Sequence, residues 1–354
     1  MSSGYLKQQP EIKQDIFFDL QKILCGSTVR QIKYRNNIDT SRFIIHLENK
    51  TEIWISLSDK LGSGSYGVVY KARVVFIKGR KLVAGDIAIK LVENKSKMMR
   101  GGVHTSILEY DDVIQNLLDW DRNQFCRSIC GFIPMYTSTK MVLPPRRNKL
   151  PHAIILMMKG DQTLIDRIIQ VNGMMKMTEA IHIYSQIRKQ ILCLNRSSKY
   201  YLDLKSANIV LKGEDAFLID MDSVSPDYMG DLAATFPPML MYPSTHGGNI
   251  STTNCNIPLP SVQTYVLGIF LLNLLHSRAI QAFENIKWMK PPPTNINALY
   301  KDIWGMVHML PKYLDTYISN LILHKSYENW VGGRKETKEF NTVISHINKF
   351  KQNK

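Results

Sequence analysis

Tyr200-Tyr201-Leu202-Asp203-Leu204-Lys205-Ser206-Ala207-Asn208-Ile209-Val210-Leu211, with Asp220-Met221-Asp222 shortly after it, is the stretch that decides how this chain is read. It sets out a carboxylate, a lysine two places on, an amide oxygen five places on, and a second carboxylate after an apolar run. Ile209-Val210-Leu211 and Ala216-Phe217-Leu218-Ile219 read as two strands joined by Lys212-Gly213-Glu214-Asp215. A hairpin so built brings Asn208, at the start of one strand, near Asp220, at the end of the other. A carboxylate that can orient a hydroxyl, a cation, and two oxygens for a divalent ion are the parts that phosphoryl transfer needs, since that reaction depends on positioning and charge neutralisation. Taken singly, each residue has a plainer role: Asp203 and Asn208 can cap a polar turn, and Asp220 can end a strand.

Upstream lies Leu61-Gly62-Ser63-Gly64-Ser65-Tyr66-Gly67-Val68-Val69-Tyr70. Glycines spaced two and three apart let the backbone approach phosphate oxygens with no Cβ in the way, and aim amide hydrogens at them. The β-branched residues that follow predict a strand, whereas a dinucleotide fold opens a helix at this point. Ile87-Ala88-Ile89-Lys90-Leu91 reads as the next strand. Its lysine suits nucleotide phosphates if a carboxylate holds it, and Glu109, on a helix predicted over 106–118, can supply one. Residues 94–102 read as a basic loop before that helix. His152-Ala153-Ile154-Ile155-Leu156-Met157-Met158 reads as a buried strand, ended by Lys159-Gly160-Asp161. Helical spacing then appears at Leu164, Ile165, Ile168 and Ile169, and again over 179–194, where Ile183, Ile187 and Ile191 share a face. At the N-terminal side, 15–24 has helical spacing, and 43–47 with 52–57 reads as a hairpin.

The 354 residues, 44% of them apolar and 21% charged, predict a globular chain with more than one core. Cys25, Cys126, Cys130, Cys193 and Cys255 are an odd, scattered set, which argues against a disulfide framework and fits a reducing compartment. Cys126 and Cys130 have no second close Cys or His pair, which argues against zinc. The first residues are polar and carry no secretory pattern. The longest apolar run, 266–275, is interrupted by Asn273 and is too short to span a bilayer, so it reads as a buried helix. A formal charge of +15 favours acidic partners, although no basic stretch interleaved with aromatics marks a nucleic-acid motif.

In this order and at these spacings, the motifs resemble those of the eukaryotic-type protein kinases. Gly62, Gly64 and Gly67 with Val69 look like the family's glycine-rich loop, and Ala88-Ile89-Lys90 like its Ala-x-Lys strand. Glu109 looks like the helix glutamate that pairs with that lysine, Asp203 to Asn208 like the catalytic loop, and Gln263-Thr264-Tyr265-Val266-Leu267-Gly268 like the start of the helix that anchors the second lobe. The resemblance implies an α+β, two-lobed fold: a small antiparallel sheet plus one helix over 54–159, a larger and mainly helical lobe over 160–354, and an N-terminal extension over 1–53. It implies ATP and Mg²⁺. Leu61, Gly62, Ser63, Gly64, Ser65, Tyr66, Gly67, Val69, Ala88, Met157 and Met158 would surround the nucleotide. Lys90, held by Glu109, would take its α and β phosphates, and Asn208 and Asp220 would hold the metal. Asp203 would orient the substrate hydroxyl and Lys205 would neutralise the γ-phosphate, in the arrangement of Ser/Thr-directed enzymes. Protein substrates follow from the same resemblance; the net charge points to acidic ones among them, and the scattered cysteines fit an intracellular site, cytoplasmic or nuclear.

The chain also departs from the family. Tyr201-Leu202 replaces His-Arg, so the arginine that reads a phosphorylated activation loop is missing. Met221-Asp222 replaces Phe-Gly, Gln263 stands where the family has aspartate, and Thr235-Phe236-Pro237-Pro238 is the nearest approach to Ala-Pro-Glu. Drift of this kind resembles that of kinases encoded by large DNA viruses, for which the location would be the host cell. Two other readings use the same residues. One is a pseudokinase acting as a scaffold. The other is a small-molecule phosphotransferase of the aminoglycoside or choline kinase type, which often has a carboxylate where Asp222 stands; Lys205 and the complete glycine loop weigh against it.

Overall fold

In the described stretches between residues 29 and 158 the backbone is extended, as their many Val and Ile residues favour. The computed structural model describes residues 29–37, 40–47, 50, 52–64, 67–77, 80–81, 86–93, 135–140, 151–196, 200–201, 204–219, 224–225, 259–276, 304–323 and 331–352. The chain divides into two units, one of Met1–Ile129 with Ile133–Gly160, the other of Cys130–Phe132 with Asp161–Lys354. The fold is of the mixed α+β class.

The first unit holds an antiparallel sheet of eight strands: β1 (Val29–Asn37), β2 (Thr40–Leu47), β3 (Glu52–Gly64), β4 (Gly67–Ile77), β5 (Arg80–Lys81), β6 (Asp86–Glu93), β7 (Met135–Lys140) and β8 (Pro151–Met158). Their order is β1-β2-β3-β4-β6-β8-β7, with β5 paired to β4. In β3, buried Ile53 and Ile55 alternate with half-buried Glu52, Trp54 and Ser56, the period-two signature of a strand with one face inward. Ile45 lies opposite Ile53 across the β2–β3 pair, and both are fully buried. In β6, Ile87, Ala88 and Ile89 are buried in succession, so both faces of the sheet are covered there. The hairpin predicted over 43–47 and 52–57 is present but longer. Of the N-terminal extension expected over 1–53, the described strands β1 and β2 belong to this sheet. The helices predicted over 15–24 and 106–118 and the loop at 94–102 lie outside the described residues.

The second unit contains α1 (Leu164–Gln170), α2 (Met177–Arg196), α3 (Leu259–Leu275), α4 (Lys312–Ile322) and α5 (Arg334–Gln352), with a short helical turn at 304–308. Its strands are β9 (Gln162–Thr163), β11 (Ile209–Lys212) and β12 (Asp215–Leu218), in the order β12-β11-β9, and β10 (Tyr200–Tyr201) paired with β13 (Val224–Ser225). Helix α1 starts at a capping box, in which Thr163 Oγ1 accepts from the Asp166 amide and Asp166 accepts from the Thr163 amide. Helix α3 is buried on every side, as its mainly apolar sequence favours, with Ser261, Gln263, Thr264 and Asn273 buried in it. At Gly268 a Cβ would lie 2.9 Å from Leu321 Cβ, so the glycine is what lets α3 and α4 approach. None of the described helices is long and apolar enough to cross a membrane.

One buried ionic cluster ties α2, α4 and α5 together. Arg188 donates through Nε to Glu336 Oε1 at 2.7 Å and through Nη2 to Oε2, and Tyr317 donates to Oε1 at 2.6 Å. The Gly332 amide completes the set at 2.9 Å, and the guanidinium sits 4.5 Å from the centre of the Phe340 ring. Burial works against the charge on Arg188, but hydrogen bonds and charge from Glu336 outweigh it and raise the guanidinium pKa further. Burial, with Tyr184 and Glu336 beside it, pushes the Tyr317 hydroxyl well up. Cys193, on α2, is disulfide-bonded, and all four other cysteines lie outside the described residues.

Candidate functional site

In the first unit, strand register places the residues singled out by sequence. In the β4–β6 pair Val69 is opposite Lys90 and Lys71 opposite Ala88; in the β6–β8 pair Ala88 is opposite Met157. Residues directly opposite in antiparallel strands share a face, so Val69, Ala88, Lys90 and Met157 stand on the same side of the sheet. Gly62 joins them, being opposite Val69 across the β3–β4 pair. The register of β3 slips between Leu57 and Lys60 and again between Lys60 and Gly62, a bulged stretch that re-aims the strand just before the glycine hairpin. Gly64 pairs with Gly67 at its tip, and Ser65 and Tyr66 between them lie outside the described residues.

Gly62 itself is not required by the fold. Its backbone is not in the left-handed region, and a Cβ there would meet nothing within 4 Å. Leu61 beside it is 47% exposed. Lys90 is half-buried and Ala88 and Met157 are buried. Met158 is opposite Ile87, so its side chain belongs to the other face; the role expected of it, a backbone hydrogen bond to the adenine, does not depend on that face. Lys71, not singled out by sequence, shares the face of Lys90.

In the second unit the opening stretch is pinned at several points. The amide of Tyr201, just before Leu202-Asp203, donates to Gln263 Oε1 of α3 at 2.7 Å, and its hydroxyl donates to the carbonyl of Ile219, just before Asp220, at 2.6 Å. Tyr201 is wholly buried and so links the two segments that carry the predicted base and the predicted metal carboxylate. Asn273, which interrupts the apolar run of α3, donates to Ser206 Oγ at 3.2 Å, and Ser206 is wholly buried. Residues Ser206–Asn208 form one 3-10 turn, closed by the Asn208 amide on the Lys205 carbonyl at 2.9 Å. The Asn208 carbonyl in turn accepts from the Ile219 amide at 2.9 Å. The hairpin therefore brings Asn208 to the residue next to Asp220, as its sequence predicts. Asn208 is buried and Lys205 half-buried.

The hairpin is also held from outside by two glutamines that sequence reasoning missed. Gln186 and Gln190 lie one turn apart on α2 and meet the free edge of β12 as another strand would. Gln186 accepts from the Ala216 amide at 2.7 Å and donates to the Glu214 carbonyl at 3.0 Å. Gln190 donates to the Ala216 carbonyl at 2.7 Å and accepts from the Leu218 amide at 3.0 Å. Their i, i+4 spacing was the only signal available in the sequence.

Glu109, Asp203 and Asp220 lie outside the described residues, as does Asp222. Among the described residues no cluster of three His, Cys, Asp or Glu could hold a metal ion. Asn208 has an amide oxygen of the hard kind that Mg²⁺ accepts, on a backbone hydrogen-bonded to Ile219, the residue just before Asp220. Compared with protein-family models and with curated proteins, the chain matches none.

Proposed function

We propose that the chain is an ATP- and Mg²⁺-dependent protein serine/threonine kinase with the two-lobed architecture of that family. The observation that carries this reading is the shared sheet face of Val69, Ala88, Lys90 and Met157 next to a glycine hairpin whose Gly62 the fold does not need. A sheet face that carries Val69, Ala88 and Met157 together with two lysines, Lys71 and Lys90, beside a backbone at Gly62 that a Cβ would leave open, suits a purine joined to phosphates.

In this reading the amides of residues 62–67 and the Lys90 ammonium, held by Glu109, take the phosphates, while Leu61, Val69, Ala88 and Met157 cover the base. Asn208 and Asp220 would hold Mg²⁺, which neutralises charge on the phosphate oxygens when bound. Asp203 orients the substrate hydroxyl for in-line attack, and Lys205 neutralises charge on the transferred group. The anchoring of Tyr201 by Gln263 and of Ser206 by Asn273 keeps both ends of the Asp203 segment rigid, which is what catalysis by positioning requires.

Incubating the purified chain with radiolabelled ATP, Mg²⁺, casein and histone tests the proposal. Label is expected on serine or threonine of the chain or the added proteins. Asp203→Asn is expected to lose transfer and keep ATP binding, and Lys90→Met to lower the rate by about 100-fold or more. No transfer from a chain that binds ATP would favour the scaffold, and equal rates for Asp203→Asn and the parent would remove Asp203 from the mechanism.

A further inference from the structure

Helix α5 reads in sequence as charge-balanced at its start, Arg334-Lys335-Glu336-Thr337-Lys338-Glu339. Folding separates the two signs. Glu336 is wholly buried in its cluster with Arg188 and Tyr317, and half-buried Glu339 accepts from Asn320 Nδ2 at 2.9 and 3.1 Å. The exposed side chains of the described helix are then four cations, Arg334, Lys335, Lys338 and Lys349, and otherwise only threonine, serine and asparagine. No acid and no apolar side chain is among them. A shallow hollow of about 490 Å³ lies along this face, lined by Arg334, Lys338, His346 and the hydroxyls and amide between them. The ring of Tyr313 meets His346 edge-on at 4.5 Å and so fixes one end of the hollow.

A face whose exposed charges are all positive, spread among hydroxyls and amides over about 22 Å of helix, fits an extended polyanion better than a single ion. Which polyanion follows from what the face lacks. Peptides that dock on helices are gripped through apolar anchors, and none is among the exposed side chains described on α5. Single-stranded nucleic acid is gripped by stacking on aromatic rings, and the one ring lining the hollow, that of half-buried His346, is already met edge-on by Tyr313. Phosphodiester backbones of duplexes are met by arginine, lysine, threonine, serine and asparagine, which is the set present.

We infer that the exposed face of α5 binds the phosphate backbone of duplex nucleic acid without reading its sequence. The charge of +15 on the whole chain adds long-range attraction, and the inference does not depend on the kinase reading. Fluorescence anisotropy of the full chain with a labelled mixed-sequence DNA duplex, against a polyglutamate peptide as competitor, tests it. With four phosphates neutralised, affinity of the parent is expected to fall about 150-fold between 50 and 200 mM salt, and that of Arg334→Gln/Lys338→Gln only about tenfold. Because both positions are exposed, the double variant should keep the parent's thermal melt. Absence of duplex binding by the parent at the lower salt, an unchanged salt dependence in the double variant, or displacement by polyglutamate as effective as by unlabelled duplex would each overturn the inference, the last in favour of an acidic protein partner.

Discussion

At Gly62 an added methyl group would enter open space on the sheet face that carries Lys90. Gly62→Ala is therefore expected to leave thermal stability within about 0.5 kcal/mol of the parent. The same change should raise the KM for ATP about tenfold by holding phosphate away from the backbone. A melt and a KM measured on one preparation separate the two effects, and a destabilised variant with an unchanged KM would mean that the glycine serves the fold. Gln263 makes the opposite case. Its Oε1 takes the Tyr201 amide, while its Nε2 is buried with no partner. Gln263→Leu strands the Tyr201 amide and should cost about 1–3 kcal/mol in urea unfolding. Sequence showed Gln263 only as a departure from the aspartate of a resembled family; the amide oxygen accepts as a carboxylate oxygen would. Asn273 was visible as a polar break in an apolar helix, but its partner Ser206, 67 residues away, was not.

Among elements, those with a strong period were legible: α2 through Ile183, Ile187 and Ile191, α3 through its apolar run, and the β11–β12 hairpin through two short strands around Gly213, whose φ of 59° suits glycine. Strand β1 was not. Residues 29–37 contain two arginines, a lysine and two asparagines, and they are extended because they pair with β2 rather than because their own pattern demands it. The ladder of Gln186 and Gln190 was equally hidden, since side chains that imitate a strand edge leave no periodic trace. Gln190→Met keeps the shape but strands the Ala216 carbonyl and Leu218 amide, at about 1–3 kcal/mol for each group left unpaired. Hydrogen exchange at Leu218 should quicken, and the Mg²⁺ concentration for half-maximal phosphate transfer should rise, because the hairpin that presents Asn208 loses its support. Unchanged exchange at Leu218 would show that the ladder holds nothing.

For the molecule as a whole, the α+β class and the buried helices could be read in advance, but not the pairings that fix the second unit. Arg188 and Glu336 stand 148 residues apart, and nothing local marks them as partners. Arg188→Met leaves Glu336 buried and uncompensated and should cost roughly 3–5 kcal/mol, measured by urea unfolding. Arg188→Met/Glu336→Leu should recover only part of that loss, since the Tyr317 hydroxyl and Gly332 amide then lack their acceptor. The measurement that bears most directly on the kinase proposal is thermal melting of the parent chain with and without Mg-ATP, alongside Lys90→Met. At about 100 times its dissociation constant, Mg-ATP is expected to stabilise the parent by roughly 2.7 kcal/mol, and at the same concentration the variant distinctly less. A parent whose melting temperature does not move with Mg-ATP or any other nucleotide would contradict the account.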